Sequence, residues 1–316
     1  MEEISQKFTH WSSYWLSGAL TSLPEDFRAN YDGEVAGFWK SRFAKLGRSA
    51  NILDVCCGNG PISLLAANWA ESSNLPVCIT AVDAAQPRPD LIKGLEANER
   101  ERLSRVRFLG GVLVEALPFE DQTFGLVTSQ YGLEYCDLWP AGEQLFRVLR
   151  PGGELAVVTH AADSAMLATM QDELAGYRLL EQARLIRLLR SWARGQLAEP
   201  DFVRRAQAAL SQLQRETGPI ARSPLVRQVG QALAGLLQMP SEQRRAQRQA
   251  ALTYANQLQA GQARLQDMLR VNRKIADDPA WSAPLECAGL VLQESMPLIY
   301  RGQHVMGQAM IWLRPA

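Results

Sequence analysis

Six residues of this 316-residue chain stand where they could hold a nucleoside and move a proton: Asp54, Gly58, Gly60, Asp83, Glu134 and His160. The stretch Asn51 to Gly60 reads N-I-L-D-V-C-C-G-N-G. Gly58 and Gly60 give a turn free of side chains, where a ligand can lie against bare backbone. Pro61 and the apolar run Ile62, Leu64, Leu65, Ala66 then open a helix, whose unpaired N–H groups favour an anionic or polar ligand at its start. Asp83 follows a little over twenty residues after Gly60. A carboxylate there can accept hydrogen bonds from both hydroxyls of a ribose. Glu134, Tyr131 and His160 are titratable groups able to take up a proton.

The elements that must position these groups are legible as alternating strands and helices. Ile52, Leu53 and Val55 form a short apolar run without alternation, which suits a strand buried on both faces of a parallel sheet. Further strands are expected near 77–82, 106–109, 124–129 and 153–159, with helices over Ile62 to Ala70, Pro87 to Ser104 and Trp139 to Leu149. Right-handed crossovers place such strands in one parallel sheet covered on both faces. Ligands of these sheets bind beyond the carboxyl ends of the strands. That rule brings Asp54, Asp83, Val112 to Glu115, Ser129 to Tyr135 and His160 to one crevice.

Further blocks follow in order: Leu117-Pro118-Phe119-Glu120-Asp121, Phe124-Gly125-Leu126-Val127, and Arg147-Val148-Leu149-Arg150-Pro151-Gly152-Gly153. As a set with the glycine turn, over roughly residues 45 to 160, they resemble the class I S-adenosylmethionine (SAM)-dependent methyltransferases. Within that class the resemblance is to the small-molecule branch that contains the quinone-ring enzymes. It implies an α/β, Rossmann-like sheet of seven strands with the last antiparallel, and SAM as cofactor, leaving S-adenosylhomocysteine. It assigns the ribose to Asp83, the methionine side to Asp54 and the Cys56–Gly60 backbone, and further cofactor contacts to Val114, Glu115, Ser129 and Gln130. The sequence departs from the family at three positions. Cys56 replaces the usual first glycine, Leu113 an aspartate that binds adenine, and Gly125 an aspartate of the fourth-strand block. Val112 to Val114 backbone or Glu115 is left to meet the adenine.

Methyl transfer from a sulfonium is an in-line displacement, so the enzyme chiefly aligns the acceptor and excludes water. A general base is needed when the acceptor arrives protonated, and Glu134, Tyr131 and His160 are the candidates. For Glu134 the alternative role is a salt bridge or helix cap, and for His160 a hydrogen-bonded strand-end side chain. Ser129-Gln130-Tyr131-Gly132-Leu133 does not read N-P-P-Y, which argues against methylation of adenine or glutamine amides and against base-flipping DNA chemistry.

Around this core the chain divides, by expectation, into an aromatic helical lid (1–45), the SAM-binding core (46–162), a helical insertion or cap (163–284) and the closing strands (285–316). In the lid, Trp11, Tyr14 and Trp15 recur at helical spacing, and Pro24-Glu25-Asp26 looks like the start of a helix running to Phe43. Such a segment either packs its aromatic face on the sheet or folds over the cofactor. Tyr14, Asn30 and Tyr31, with Tyr135 across the crevice, are its candidate substrate contacts. Gly289 to Gln293, Ile299 to Gly302 and Gln303 to Leu313 fit the sixth strand and the antiparallel seventh.

The insertion is rich in Leu, Ala, Gln and Arg, with breaks at Pro200, Gly218-Pro219, Pro224 and Met239-Pro240. Arg184, Arg187, Arg190 and Arg194 share one helical face, which reads as a solvated surface or as a docking face for an anion. The amphipathic helices also offer a surface for a homodimer or a partner protein. Lys plus Arg and Asp plus Glu both number 33, which disfavours bulk nucleic acid as a partner. The five cysteines lack C-x-x-C spacing and the histidines number three, so neither a disulfide framework nor a metal site is indicated. Without a signal-like start or a stretch of membrane-spanning length, a cytoplasmic location is expected. Besides a small-molecule methyltransferase, two other readings are a non-catalytic SAM-fold subunit and a methyltransferase of protein or structured RNA.

Overall fold

The computed structural model describes residues 8–22, 27, 29–161, 165–216, 220 and 223–316. They form two compact units, one of Met1–Ser164 with Val271–Ala316 and one of Ala165–Arg270. Among the described residues no helix is long and apolar enough to cross a membrane.

The first unit is built on a seven-stranded sheet of order β3-β2-β1-β4-β5-β7-β6. The strands are β1 Asn51–Val55, β2 Cys78–Asp83, β3 Arg107–Gly110, β4 Phe124–Gln130, β5 Leu149–Thr159, β6 Val291–Tyr300 and β7 His304–Leu313. β1 to β5 pair in parallel, and β7 lies antiparallel between β5 and β6. The order reverses between β1 and β4, so the crevice for a ligand opens there. Successive side chains of the strands supply two cores. Ile52, Leu126, Ala156 and Val158 join one apolar cluster, and Leu53, Val127, Leu155 and Val157 join the other. This double burial explains why the apolar pairs Ile52-Leu53 of β1 and Leu126-Val127 of β4 and the run Leu155 to Val158 of β5 do not alternate with polar residues.

Helices α1 Thr9–Trp15 and α2 Gly33–Phe43 precede the sheet, and α3 Pro61–Ser72, α4 Ala97–Ser104 and α5 Leu138–Val148 lie between its strands. Phe38, Trp39 and Phe43 of α2 join Ile62, Leu64 and Leu65 of α3 on one face. Leu138, Ala141, Leu145 and Val148 of α5 cover the other. Arg147 of α5 explains why the Arg147 block and the Leu117 block occur together. Its guanidinium donates to the carbonyls of Leu117 (2.9 Å) and Phe119 (2.6 Å) and to Asp121 (2.8 Å).

Three expected spans differ. The helix expected over Pro87 to Ser104 is only α4, preceded by a single turn at Pro89–Leu91. Pro87, Pro89 and a left-handed Gly94 break the first half, and a reciprocal capping box between Glu96 and Glu99 sets the start. The helix reaching Phe43 begins at Gly33, and its expected start at Pro24 lies outside the described residues. β6 runs through Pro297, which an edge strand tolerates because no ladder hydrogen bond is needed on its open side.

The second unit is helical: α6 Ala165–Gln182, α7 Leu185–Ala193, α8 Glu199–Arg215, α9 Pro224–Gln238, α10 Ser241–Ala246 and the part of α11 (Arg248–Asp277) up to Arg270. Trp192 and Phe202 stack at 4.2 Å in its core. Buried Arg244 donates to the carbonyls of Leu236, Leu237 and Met239 at the end of α9 and to Glu199 at 2.9 Å. The expected break at Gly218-Pro219 lies outside the described residues. A last short helix, α12 Ala283–Cys287, returns to the sheet, where Leu285 and the neighbouring Trp281 join the core under β5 and β7.

Candidate functional site

The glycine turn after β1 is held from below and from the side. Asp54, 1% exposed, accepts the backbone N–H (3.2 Å) and hydroxyl (2.7 Å) of Ser63 at one oxygen and the hydroxyl of Thr128 (3.0 Å) at the other. Its carboxylate therefore ties the first turn of α3 to β4 and acts on the turn from inside, one oxygen accepting twice and the other once within the protein. Burial pushes Asp54 up to about 6, against the pull of the Ser63 and Thr128 hydrogen bonds.

A carboxyl raised in this way binds a proton more tightly folded than unfolded. Its contribution to stability is complete below pH of about 4, the unfolded value, and is lost as pH rises to about 6. The loss is about 3 kcal/mol. Asp54→Asn fits the same contacts if its amide donates to Thr128, whose hydroxyl can turn to the Leu53 carbonyl. Urea unfolding of the wild type minus that of Asp54→Asn is expected to show this slope between pH 4 and 6, roughly. A flat difference would remove the buried charge from the account.

Asp83 closes the crevice from β2. One oxygen accepts the Gly58 N–H and the other the Ala85 N–H, both at 2.7 Å, which leaves each oxygen able to accept once more. Burial raises its pKa, and the two backbone N–H groups oppose the shift. Beside it the chain leaving β3 returns, with Val112 donating to the Asp83 carbonyl at 3.0 Å. Buried Val114 and half-buried Glu115 form a single turn there. One Glu115 oxygen is taken by the Asp137 N–H at 2.9 Å.

The departure at Cys56 is absorbed locally. Cys56 adopts a left-handed φ of 54°, a conformation that glycine takes without strain. Room for its side chain comes from Gly132, because a Cβ at 132 would overlap that of Cys56. The Cys56 and Cys136 sulfurs stand 3.8 Å apart, and the neighbouring thiol together with burial holds Cys56 well above the ordinary thiol range.

Above the turn lies α1. The Trp15 indole rests on Gly58, where φ is 53° and any Cβ would strike the ring. Trp11 stacks on Trp15 and meets Tyr135 edge-on at 5.8 Å, so the aromatic row spans from the glycine turn to the loop after β4. The latch is Asn59, fully buried between the two glycines. Its amide donates to the carbonyls of Trp15 (3.0 Å) and Ala19 (2.7 Å), and its oxygen accepts the Arg88 N–H (2.7 Å). Asn59→Ala would strip three backbone groups of their partners, and the expected cost is about 2 to 4 kcal/mol. Hydrogen exchange should show Ser12 to Ala19 opening faster in this variant, and unchanged protection would refute the latch.

On the far side stand Glu134 and His160. Glu134, 1% exposed, accepts with one oxygen both the backbone N–H (3.0 Å) and the Nδ1–H (2.7 Å) of His160. The other oxygen is buried without a protein partner. An Nδ1–H given to a carboxylate leaves the lone pair on Nε2, the tautomer of a general base. The His160 ring lies between Tyr131 (5.0 Å) and Tyr135 (5.9 Å).

The remaining expected residues fall into two groups. Tyr135, Val114 and Glu115 are brought to the crevice with Asp83 and the turn. Several others make hydrogen bonds or packing contacts within the protein. The Tyr131 hydroxyl donates to the Met306 carbonyl (2.7 Å), and its φ of 55° aims the loop after β4. Ser129 accepts the Leu133 N–H, and Gln130 accepts the Trp39 indole N–H. Tyr14 donates to the Thr21 carbonyl, and Asn30 to that of Pro61. Tyr31 is buried against Phe27, and burial raises its pKa steeply. Sequence reasoning passed over Asn59, Trp11 as a contact to the far loop, and Gly132. A polar side chain between two glycines was the one available signal.

The residues present fit a nucleoside cofactor. A carboxylate with one free lone pair per oxygen and the half-buried chain after β3 converge beside the glycine turn at the switch point of the sheet, where the Trp15 ring rests on Gly58.

Residues 36–180 match the model of the ubiE/COQ5 methyltransferase family. A demethylmenaquinone methyltransferase of Listeria welshimeri is 33% identical over 125 residues, 38% of this chain and 50% of its own length. One from Leptospira interrogans is 28% identical over 149 residues, 46% of this chain and 52% of its own. The chain thus spans about half the length of the curated relatives it matches. Among solved structures, a complex of the Haloferax volcanii Trm112 methyltransferase activator with a putative methyltransferase aligns over 97% of this chain and 98% of its own. The identity is 10% and the TM-score 0.44, too distant to carry function or partnership across. The matched stretch is that of a class I SAM-dependent methyltransferase, and S-adenosyl-L-methionine is the cofactor of that class.

Proposed function

We propose that this chain transfers the methyl group of SAM to a small aromatic acceptor bearing an ionisable hydroxyl, at that oxygen or at the ring carbon beside it. The observation that carries the proposal is the Glu134–His160 pair, poised at the ends of β4 and β5 on the same crevice as Asp83. When bound, SAM supplies an electrophilic methyl on a sulfonium. Asp83 holds the ribose, and the Cys56–Gly60 backbone and the Val112–Glu115 segment line the rest of the cofactor. Asp54 keeps the turn in shape without touching the ligand.

A phenol is a poor nucleophile until it loses its proton, and His160 Nε2 takes it. Glu134 fixes the tautomer and stabilises the imidazolium that results. Trp11, Tyr131 and Tyr135 make the surrounding wall aromatic, which suits a flat ring and excludes water.

The relatives' name, demethylmenaquinone methyltransferase, puts reduced demethylmenaquinone first among acceptors to try. With methyl-labelled SAM, hydroquinones and phenols should gain label and aliphatic amines should not. Label in amines alone would defeat the proposal.

A further inference from the structure

The helical unit carries a cleft lined wholly by its own residues. Leu185, Leu188, Leu189 and Trp192 turn one face of α7 into the core of that unit. The opposite face carries Arg184, Arg187, Arg190 and Arg194, all of which line a cavity of about 600 Å³. Arginines three and four residues apart on one helix face repel one another, so their gathering is a cost to the isolated protein. Ordinarily carboxylates on facing helices relieve it. Here the facing side chains are the amides Gln259 and Gln262 of α11, with Gln196 and Ser191 at the edge.

The single carboxylate in the wall, Glu181, accepts from the Gln262 amide at 2.7 Å and forms no salt bridge among the described residues. Nor does any of the four arginines form one among those residues. By contrast, Arg204 and Arg244 of the same unit are paired with Asp201 and Glu199. Arg190 is fixed against Gln259, and its Nε is buried with no partner. A buried guanidinium N–H left unpaired is an unmet hydrogen-bonding demand on a residue that lines the cleft.

We infer that this cleft binds a small polyphosphate-bearing anion through Arg184, Arg187, Arg190 and Arg194. Four arginines against the one carboxylate of Glu181 leave three positive charges in excess, which calls for several negative charges, more than one carboxylate ligand supplies. Guanidinium forks match phosphate oxygens in pairs. The volume is that of a small-molecule site. A concave pocket with amide side walls favours a compact ligand over the open, extended track that a nucleic-acid strand follows. This site is independent of the proposed methyl transfer.

The test is calorimetric titration of the full chain with inorganic pyrophosphate and tripolyphosphate at low salt. Saturable one-site binding is expected, tighter for tripolyphosphate. It should be weakened roughly ten-fold in each of Arg187→Gln and Arg194→Gln, and more in Arg190→Gln. Arg187 and Arg194 are exposed, so their variants keep the test valid if Arg190→Gln misfolds. Arg204→Gln serves as the charge-matched control and should bind like wild type, and SAM affinity should be unchanged throughout. The inference is overturned by no saturable binding of either anion. It is equally overturned if Arg204→Gln weakens binding as much as Arg187→Gln, or if single-stranded RNA binds more tightly than tripolyphosphate with an affinity that grows with strand length.

Discussion

His160→Gln is expected to lower the turnover number by roughly two to four orders of magnitude, with SAM affinity changed by less than about two-fold. Glutamine keeps a polar group of similar reach but offers no basic nitrogen, so the acceptor's proton has no destination. The fall should shrink for an acceptor whose hydroxyl is already ionised at the assay pH, because the base is then superfluous. Glu134→Gln is expected to be milder, about ten- to a hundred-fold. An amide oxygen can still accept the Nδ1–H of His160 but no longer supports the imidazolium with a charge. The two substitutions should also fail to add, since Glu134 acts only through His160. Additive losses, or full activity in His160→Gln, would show that the pair is structural.

Asp83→Ala is the second large effect, expected on binding and not on chemistry. Two charge-assisted hydrogen bonds to a ribose are worth about 3 to 5 kcal/mol, or roughly two to nearly four orders of magnitude in affinity. The substitution also frees the N–H groups of Gly58 and Ala85, so part of the loss comes through the turn. Asp83→Asn separates the two: its amide keeps the shape and can still accept from one of those N–H groups. An intermediate loss in the asparagine variant supports direct contact. Because burial raises the Asp83 pKa, and ribose hydroxyls donate to the charged form, SAM affinity should fall on acidification in the wild type and change less in Asp83→Asn.

The sheet was legible because its signal is repeated: each buried strand is an apolar run, and each ends near a glycine or an acidic residue. Asp83 was legible for the same reason, since strand, turn, helix and second strand fix its place. The helix over 87–104 was misjudged because its charged residues fit a helix while Pro87, Pro89 and Gly94 act only locally, and the Glu96 capping box decides the start. The hydrogen bonds of Tyr131, Ser129 and Gln130 were not readable at all. Their partners Met306, Leu133 and Trp39 meet them only when β7, the loop after β4 and α2 are assembled.

Cys56 shows the same limit from the other side. In the sequence it is a lost glycine; in the fold its left-handed residue is accommodated by a glycine seventy-six positions later, at Gly132. Local pattern fixes which elements exist, whereas compensation between distant positions needs the packed structure.

The most direct measurement is calorimetric titration of the chain, freed of any carried-over nucleoside, with SAM and with S-adenosylhomocysteine. One saturable site at roughly micromolar affinity, near −8 kcal/mol, is predicted for the wild type, with the site lost in Asp83→Ala. No binding of either ligand to the folded protein, or equal binding in Asp83→Ala, would contradict the cofactor site.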